Sequence, residues 1–498
     1  MWIIGDGDPD ENRRIMCEET RRIAVVPVFI TKMESGALFL KRTEAIMNII
    51  VIGCGKVGAA LTQQLANENH DVTVIDVDGE TIEDVSSEND VRGVVGNGAS
   101  YLVQQEAGIQ EADLMIAVTH SDELNLLCCL IAKKAGNCPT IARVRSPIYN
   151  SEIDFIKEGL GLAMVINPEY AAAVEMSRIL RRRSAIEISP FAKGKVEMQK
   201  FRILEGSLLC GMALSDISAK LHCDVLVCTV ERGDEVVIPD GSFVLQAHDR
   251  VSFVASPHNA AAFFRKIGIE NAAVKSCMII GGGTVAYYLA SLLLAAGVKV
   301  KIIDQSKERC EELSVLLPKA VVVCGDATDQ RLLIEEGMAY MDAFVAATGL
   351  DEENILLSLL AQTKSNAKTI TKVTRINYDH VIESLELDST INPKEITAQS
   401  IIRYVRAMQN SVGGNMESLY RIIEGRAEAM EFHITEPSEL TSAPLCKLSL
   451  RKNILIGCIS RGGKVVFPRG QDQIRVGDTI VVVSGVIGLN DVREILRR

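Results

Sequence analysis

The sequence predicts an α/β protein made of two tandem units, each a doubly wound parallel sheet followed by a small α+β domain. Two observations carry this prediction: a long internal repeat, and short apolar runs that alternate with amphipathic segments in the first half of each copy. The length of 498 residues is also too great for a single hydrophobic core. We therefore expect several domains arranged as two related halves.

The repeat shows as a constant offset between matching residues, 228 or 229 by subtraction of their numbers. One offset sustained over so long a stretch indicates a duplicated unit. The matching pairs include Gly53 and Gly281, Asp76 and Asp304, Thr119 and Thr348, Asp122 and Asp351, Asn125 and Asn354, Arg232 and Arg461, and Asp249 and Asp478.

The first half of each copy has the pattern of a nucleotide-binding sheet of the Rossmann type. Amphipathic segments at Gly58–Glu68 and Asp122–Lys134 predict helices between the strands. Strand–helix alternation of this kind indicates a parallel sheet. The predicted strands of the first copy are Ile49–Ile52, Val72–Ile75, Val91–Val95, Leu114–Val118 and Thr140–Val144.

The second half of each copy predicts a separate small domain. In the first copy, Ser207–Leu221 favours a helix, and short strands are expected at Val225–Val230, Glu235–Ile238 and Arg250–Val254. The charged segment Glu169–Lys195 is expected to link the two domains. The expected ranges are 47–169 and 274–391 for the two nucleotide-binding domains, and 188–272 and 413–498 for the two small domains.

Residues 1–46 stand outside the repeat and are expected to be a non-essential extension. They carry mixed charges and no sustained helical or strand period. Met47 opens the first strongly patterned segment, so we expect the functional protein to begin there.

Composition excludes several classes of function. A formal net charge of −12 repels phosphate backbones and argues against nucleic acid as a partner. No apolar run approaches the roughly 18 to 20 residues that a membrane-spanning helix needs. The thirteen cysteines show no metal-ligand spacing, and Cys54, Cys228, Cys277 and Cys324 lie in apolar runs, where we expect reduced core thiols.

The chemistry-bearing motif of the first copy is a glycine-rich loop between a strand and a helix. Asp76 follows at the end of the next strand, where a carboxylate accepts hydrogen bonds from ribose hydroxyls and repels a 2′-phosphate. The motif therefore predicts NAD or NADH binding rather than NADP binding. The predicted loop residues are Gly53, Cys54, Gly55, Lys56, Val57 and Gly58.

The second copy repeats the motif with one change. Ala286 replaces the third glycine, which this fingerprint tolerates, and Asp304 takes the place of Asp76. A second nucleotide site is therefore predicted, with a ligand or an affinity that can differ. Its loop residues are Gly281, Gly282, Gly283, Thr284 and Val285.

Other predicted site residues follow the fourth and fifth strands, because ligands lie across the carboxyl ends of a parallel sheet. Thr119 and His120 end the fourth strand of the first copy, and Thr348 and Gly349 end that of the second. For His120, a ligand role and an exposed loop position with only its backbone involved stay open. Arg143 ends the fifth strand and can offer a guanidinium to a phosphate.

No catalytic constellation accompanies these loops. The histidines do not recur between the copies, and no Ser/His/Asp or metal-ligand set emerges. The sequence therefore favours a non-catalytic nucleotide sensor. The alternative is an NAD-dependent oxidoreductase.

The order of these motifs resembles the TrkA family of tandem RCK (regulator of potassium conductance) proteins. The resemblance rests on the loop at Gly53, on Ala-Val-Thr-x-x-Asp-Glu-x-Asn from Ala117, on Ile-Ala-Arg-Val-Arg-Ser-Pro from Ile141 and on their repetition; it extends from Met47 to Arg498. It implies two RCK units and a nucleotide signal that is NAD, NADH, ATP or ADP. It further implies a cytoplasmic, peripheral, homotetrameric subunit on the inner membrane that regulates a Trk-type potassium-translocating subunit. A gating ring for another channel or antiporter stays open.

Overall fold

The computed structural model describes residues 46–498, except 151, 182–185, 234, 270–272, 375–384, 386, 412–415, 424–425, 487, 490 and 498. Apart from residue 46, the predicted N-terminal extension lies outside the described residues. Among the helices of the described part, none is both long and apolar enough to cross a membrane.

Two six-stranded parallel sheets share one strand order. In the first sheet the order is β3-β2-β1-β4-β5-β6, and in the second it is β14-β13-β12-β15-β16-β17, so the predicted duplication of a doubly wound sheet is confirmed. The first sheet has β1 Asn48–Ile52, β2 Asp71–Asp76, β3 Arg92–Val95, β4 Leu114–Ala117, β5 Thr140–Arg143 and β6 Met164–Ile166. The second has β12 Ser276–Ile280, β13 Lys299–Asp304, β14 Val321–Cys324, β15 Ala343–Ala346, β16 Lys368–Lys372 and β17 Thr390–Ile391.

Two five-stranded, antiparallel sheets follow the parallel ones and again share one order. It is β10-β9-β11-β8-β7 in the first copy and β21-β20-β22-β19-β18 in the second. The first small sheet has β7 Glu187–Phe191, β8 Val196–Arg202, β9 Leu226–Arg232, β10 Glu235–Val237 and β11 Arg250–Ala255. The second has β18 Met416–Ile422, β19 Ala427–His433, β20 Ile454–Arg461, β21 Lys464–Val466 and β22 Thr479–Ser484.

The helices lie between and beside these strands. Those of the first copy are α1 Lys56–Asn67, α2 Gly79–Asn89, α3 Tyr101–Glu106, α4 Asp122–Ala135, α5 Pro147–Asn150, α6 Ile153–Leu160, α7 Pro168–Leu180, α8 Leu214–Leu221 and α9 Pro257–Lys266. Those of the second copy are α10 Thr284–Ala295, α11 Lys307–Leu316, α12 Gln330–Glu335, α13 Asp351–Lys364, α14 Pro393–Ser411 and α15 Glu439–Ser442.

The structure differs from the sequence predictions in the small domain. The helix predicted from Ser207 begins only at Leu214, because Gly211 adopts a left-handed φ of 78° and its N–H donates to the Leu245 carbonyl. The segment Glu169–Lys195 is more than a linker, since it contains most of α7 and all of β7.

The predicted burial of cysteines is correct at three positions and wrong at one. Cys54, Cys228 and Cys277 are buried, whereas Cys324 is exposed. Cys324 ends β14, the outermost strand of its sheet, whose residues are only partly covered. The prediction from an apolar run therefore overestimated the burial of a residue on an edge strand.

The two copies exchange the long helices that follow their parallel sheets. Helix α7, capped by the Asn167 side chain and opened by Pro168, follows the first sheet but packs on α10 of the second copy. Helix α14 follows the second sheet and packs on α1 of the first copy. Each parallel sheet therefore shares its hydrophobic core with a helix from the other half of the repeat.

The repeated arginine and aspartate residues of the small domains form matching ion pairs. Arg232 donates two hydrogen bonds to the Asp249 carboxylate, both 2.8 Å long, and Arg461 donates to Asp478 at 2.8 and 2.7 Å. Each aspartate is 1% exposed. Planar, two-point pairing of this kind fixes geometry, so the repeat at these positions has a structural cause.

A buried arginine joins the first parallel sheet's α1 to the second small domain. Arg406 of α14 donates to the Glu68 carboxylate at the end of α1 at 2.8 and 3.0 Å, and to Glu428 of β19 at 3.5 Å. Arg406 and Glu428 are 4% and 0% exposed. Glu428 also accepts a hydrogen bond from the Gly488 N–H. We call Glu68, Arg406 and Glu428 the α14 clamp.

Replacement of the clamp arginine, Arg406→Met, is expected to lower the free energy of unfolding by about 3–5 kcal/mol, because it removes the guanidinium that pairs with the buried Glu428 and the partly buried Glu68. The matched control is Arg493→Met, which removes an exposed pair with Asp491 and should cost at most about 1 kcal/mol. Urea unfolding of both variants measures the difference. Equal destabilisation of the two would contradict this account of the clamp.

Candidate functional site

A cavity of about 520 Å³ opens at the carboxyl ends of the first parallel sheet, and residues of both copies line it. The first copy contributes the turn after β1, the end of β2, the turn after β3 and the ends of β4 and β5. The second copy contributes Val285, Lys372, Thr374, Pro393 and Lys394. The cavity therefore lies between the two halves of the repeat, and its volume suits a cofactor-sized ligand.

Glycine is favoured at three positions of the first loop for three different local reasons. Gly53 adopts a φ of 99°, and a Cβ there would lie 2.8 Å from the Thr119 nitrogen. A Cβ on Gly58 would lie 1.8 Å from the Gly53 carbonyl oxygen, so the helix packs directly on the turn. A Cβ on Gly55 would meet no described atom within 4 Å. Gly55 thus leaves open space beside the N-terminus of α1, where an anion is favourably placed.

Asp76 holds the loop from the end of β2. Its Oδ2 accepts a hydrogen bond of 2.6 Å from the Cys54 N–H, and its Oδ1 accepts one of 3.1 Å from the Asp78 N–H. The carboxylate also lines the cavity. It can therefore accept hydrogen bonds from the hydroxyl groups of a ligand while it supports the turn.

The ends of β4 and β5 are fastened by an asparagine that the sequence prediction left out of the site. Asn125 accepts a 2.8 Å hydrogen bond from the Thr119 N–H and donates one of 2.9 Å to the Arg143 carbonyl. Asn354 makes the same contacts with Thr348 and Lys372 in the second copy, at 2.8 and 3.0 Å. The recurrence of this asparagine at the repeat offset was the signal for its role.

Two cations lie at matching positions around the cavity. Arg143 Nη1 is 3.4 Å from the Val118 carbonyl oxygen, and Lys372 Nζ is 3.4 Å from that of Ala347. Burial lowers the pKa of both groups, while the nearby Glu169 carboxylate raises each pKa. Among the described residues, neither Arg143 Nε nor Glu169 Oε2 has a hydrogen-bond partner. These orphaned polar atoms fit a ligand that carries both anionic and donor groups.

The start of each exchanged helix also reaches the cavity, and the sequence prediction missed these residues. Pro168 and Glu169 come from the first copy, and Pro393 and Lys394 from the second. Lys394 donates through Nζ to the Thr374 carbonyl. The sequence signal that could have identified them is the Asn-Pro pair at the start of each helix, at residues 167–168 and 392–393. Glu169 and Lys394 occupy matching positions in the two copies, so the two sides of the cavity carry opposite charges there.

Most of the predicted first-site residues meet at this cavity. Cys54 and Gly58 are not part of its wall; the Cys54 thiol is buried, and burial together with Asp76 raises its pKa to about 12. The predicted residues that line the cavity are Gly53, Gly55, Lys56, Val57, Asp76, Thr119, His120 and Arg143.

The second loop has the same glycine geometry as the first but makes an additional contact with an arginine side chain. Gly281 has a φ of 90°, a Cβ on Gly283 would meet no described atom within 4 Å, and the Gly282 N–H donates to Asp304 at 2.5 Å. Arg309 of α11 donates to the Gly282 carbonyl at 2.6 Å. Thr81 stands at the matching place in the first copy, so this arginine contact has no counterpart at the first loop.

The remaining predicted second-site residues surround this loop except one. Thr284 begins α10, and Thr348 and Gly349 follow β15 close to Gly281. Val285 instead reaches the first cavity. The second loop and the first cavity are therefore neighbours through the first turn of α10.

Comparisons with known proteins identify the repeated units. The model of the TrkA-N domain matches residues 49–168 and 277–393, and that of the TrkA-C domain matches residues 198–268. A Trk system potassium uptake protein TrkA homolog of Archaeoglobus fulgidus is 36% identical over 91% of this chain and 100% of its own length. Trk system potassium uptake protein TrkA of Haemophilus influenzae is 31% identical over 88% of this chain and 95% of its own.

Solved structures show the same fold at lower identity. The RCK domain of GsuK has a TM-score of 0.59 and 16% identity, and the match covers 89% of this chain and 93% of that one. The GsuK channel bound to NAD has a TM-score of 0.58 and 16% identity over 89% of this chain and 77% of that one. Together with the domain matches and the full-length relatives, the fold shows that the chain belongs to the TrkA family of Trk potassium uptake proteins, with two tandem RCK units.

Proposed function

We propose that this protein is a nucleotide-binding regulatory subunit of a potassium uptake system. A nucleotide bound in the cavity between the RCK units biases their arrangement, and that arrangement gates a potassium-translocating membrane subunit of the Trk type. The protein acts by binding and docking, without turnover of the nucleotide. It works as a homotetramer on the cytoplasmic face of the inner membrane.

One observation carries this proposal: the wall of the cavity comes from both copies of the repeat. A ligand that touches the first loop and also Lys372 and Lys394 has an affinity that depends on how the two copies are placed. By linkage, the same ligand then stabilises the placement that binds it better. A dehydrogenase site would instead need an acid or base beside the nicotinamide and a substrate pocket.

The ligand class follows from the charges of the wall. Arg143, Lys372 and the N-terminus of α1 favour phosphate groups, and Asp76 favours ribose hydroxyls over a 2′-phosphate. These features support NAD or NADH, with ATP or ADP as alternatives of the same class. The binding of NAD by the GsuK channel, a protein of the same fold, is consistent with this choice.

The α14 clamp gives a physical route from the cavity to the small domain. Helix α1 begins at the open glycine loop and runs 12 residues to Glu68, a length of about 18 Å. Glu68 pairs with Arg406, which also contacts Glu428 in the second small sheet. A rigid helix with a buried, charged end can transmit a displacement of the loop, because the carboxylates cannot leave the guanidinium cheaply.

The second loop, with Asp304 and Gly283, is proposed as a further nucleotide site. Its glycine geometry supports a phosphate, while the hydrogen bond from Arg309 to the Gly282 carbonyl has no counterpart at the first loop, where Thr81 stands at the matching position. We therefore expect two classes of site with different affinities.

Replacement of the open glycine of each loop should separate the two sites. Gly55→Ala should fold normally, since nothing described lies near the added methyl group, and should weaken nucleotide binding at the first loop by about 1–3 kcal/mol through displaced phosphate contacts. Gly283→Ala should do the same at the second loop. Calorimetry with NADH, NAD, ATP and ADP counts the remaining sites. Full stoichiometry and affinity in both variants would remove the loops from the site.

A cation of the second copy should contribute to binding at the first loop. Lys372→Gln is expected to weaken binding in the first cavity by about ten- to a hundredfold, because a charge-assisted contact worth roughly 1.5–3 kcal/mol is lost. Lys364→Gln, at an exposed position on α13, is the matched control and should bind normally. Titration at low and high salt measures both. Equal affinities in the two variants would contradict a cavity shared between the copies.

We expect the protein to bind a membrane partner and not to turn over its nucleotide. Purified protein should oxidise no NADH above background with a broad panel of metabolites, and should associate with a potassium-translocating subunit in detergent. A chain with Gly55 and Gly283 both replaced should keep this association and lose its response to nucleotide. Robust turnover with no membrane partner recovered would favour the oxidoreductase alternative.

A further inference from the structure

Two cysteines of the second copy lie together at the end of β13. Cys324 ends β14 and pairs in register with Asp304 of β13. The Cys310 Sγ on α11 is 3.4 Å from the Asp304 carbonyl oxygen and 3.7 Å from that of Val323, the residue before Cys324. The Cys324 Sγ is 3.9 Å from the Gln305 carbonyl oxygen. Both thiols therefore lie around the same end of β13, at Asp304 and Gln305.

The fold itself does not require this pair. In the first copy Ile82 stands at the position of Cys310, and Val95 pairs with Asp76 as Cys324 does with Asp304. An aliphatic pair therefore supports the same helix and strand end. The thiols are a special feature of the second copy, beside the carboxylate proposed to bind its nucleotide.

The two thiols differ in access. Cys324 is exposed, whereas the Cys310 side chain is covered by α11 and the sheet. Burial and the neighbouring Cys324 raise the pKa of Cys310 to about 11. A reagent in solution therefore reaches the exposed Cys324 before it reaches the buried Cys310.

We propose that Cys310 and Cys324 are a redox-responsive dithiol that closes to a disulfide when Cys324 reacts with a small-molecule disulfide. The Cys324 thiolate attacks one sulfur of that reagent, forms a mixed disulfide and releases the first small thiol. The Cys310 sulfur, losing its proton, then attacks the Cys324 sulfur and releases the second small thiol. The protein loses two electrons and two protons, and the reagent gains both.

Closure of the disulfide changes the surroundings of the second loop. It removes the contact of the Cys310 thiol with the Asp304 carbonyl and ties α11 to the end of β14. Helix α11 also carries Arg309, which holds the Gly282 carbonyl. Oxidation therefore alters nucleotide affinity at the second loop and leaves the first loop unaffected; this consequence rests on the proposed function.

The chemistry is tested on the full chain under native conditions with oxidised glutathione as the probe. The expected product has lost the mass of two hydrogen atoms, and its proteolytic map contains one linked pair of peptides, with Cys310 and Cys324. Added dithiothreitol restores the original mass. Glutathione that accumulates on Cys324 without a link to Cys310, or a link between other cysteines, would overturn the proposal.

Three variants fix the roles of the two thiols. Cys310→Ser should trap glutathione on Cys324, because the second thiol is missing, and Cys324→Ser should give neither a link to Cys310 nor an adduct on Cys310. Cys446→Ser, at another exposed cysteine in the second small domain, is the control and should form the link normally. A link that forms less in this control than in the unaltered chain would count against the assignment.

Nucleotide titration separates this inference from the proposed function. Oxidised and reduced protein should differ at least fivefold in affinity for NADH at one class of site, and Cys324→Ser should show no such difference. A link without any change in affinity would overturn the coupling to the second loop. Absence of nucleotide binding in the reduced, unaltered chain would contradict the proposed function and not the disulfide.

Discussion

The exchange of helices between the two copies is the constraint on which the rest of the structure depends. Helix α14 buries one face against α1 of the first copy, and α7 does the same against α10 of the second. Burial of apolar surface holds the halves together without fixing a precise angle, because it is non-directional. Direction comes from the buried Arg406, which contacts the buried Glu428 and the partly buried Glu68. The cavity is the gap that this arrangement leaves between the carboxyl ends of the strands.

The electrostatics of that gap support the proposal that it binds an anionic ligand. Arg143 and Lys372 are partly removed from water, which costs free energy, and Glu169 offsets only part of the cost. Phosphate oxygens would supply the missing acceptors, at the same place as the open glycine and the N-terminus of α1. Binding free energy gained there depends on both copies at once. The proposed nucleotide-dependent regulation needs no catalytic group, only two arrangements of the copies with unequal affinity for the ligand.

Sequence patterns predicted the parts that depend on local physics. The central parallel strands β1, β4, β12 and β15 are nearly continuous apolar runs, and the loops have the glycine spacing that a tight turn and close helix packing demand, so both were predictable. Strands β6, β7 and β8 of the first copy were missed; in β7, Pro190 and polar residues hide the period. The second wall of the cavity was missed for another reason: no local pattern tells which copy Lys394 faces. The exposure of Cys324 likewise depends on β14 being an edge strand, a property of the sheet and not of the run.

The most direct test of the central claim is amide hydrogen exchange of the full chain with and without saturating NADH. The account predicts slower exchange in the turn after β1 and also in the second copy, at the end of β16 and the start of α14, where Lys372 and Lys394 lie. In Arg406→Met, NADH should still slow amide exchange in the turn after β1, whereas any slowing of exchange in β19 by NADH should be lost. Protection confined to the first copy, with β16 and α14 unchanged, would contradict a nucleotide that joins the two RCK units.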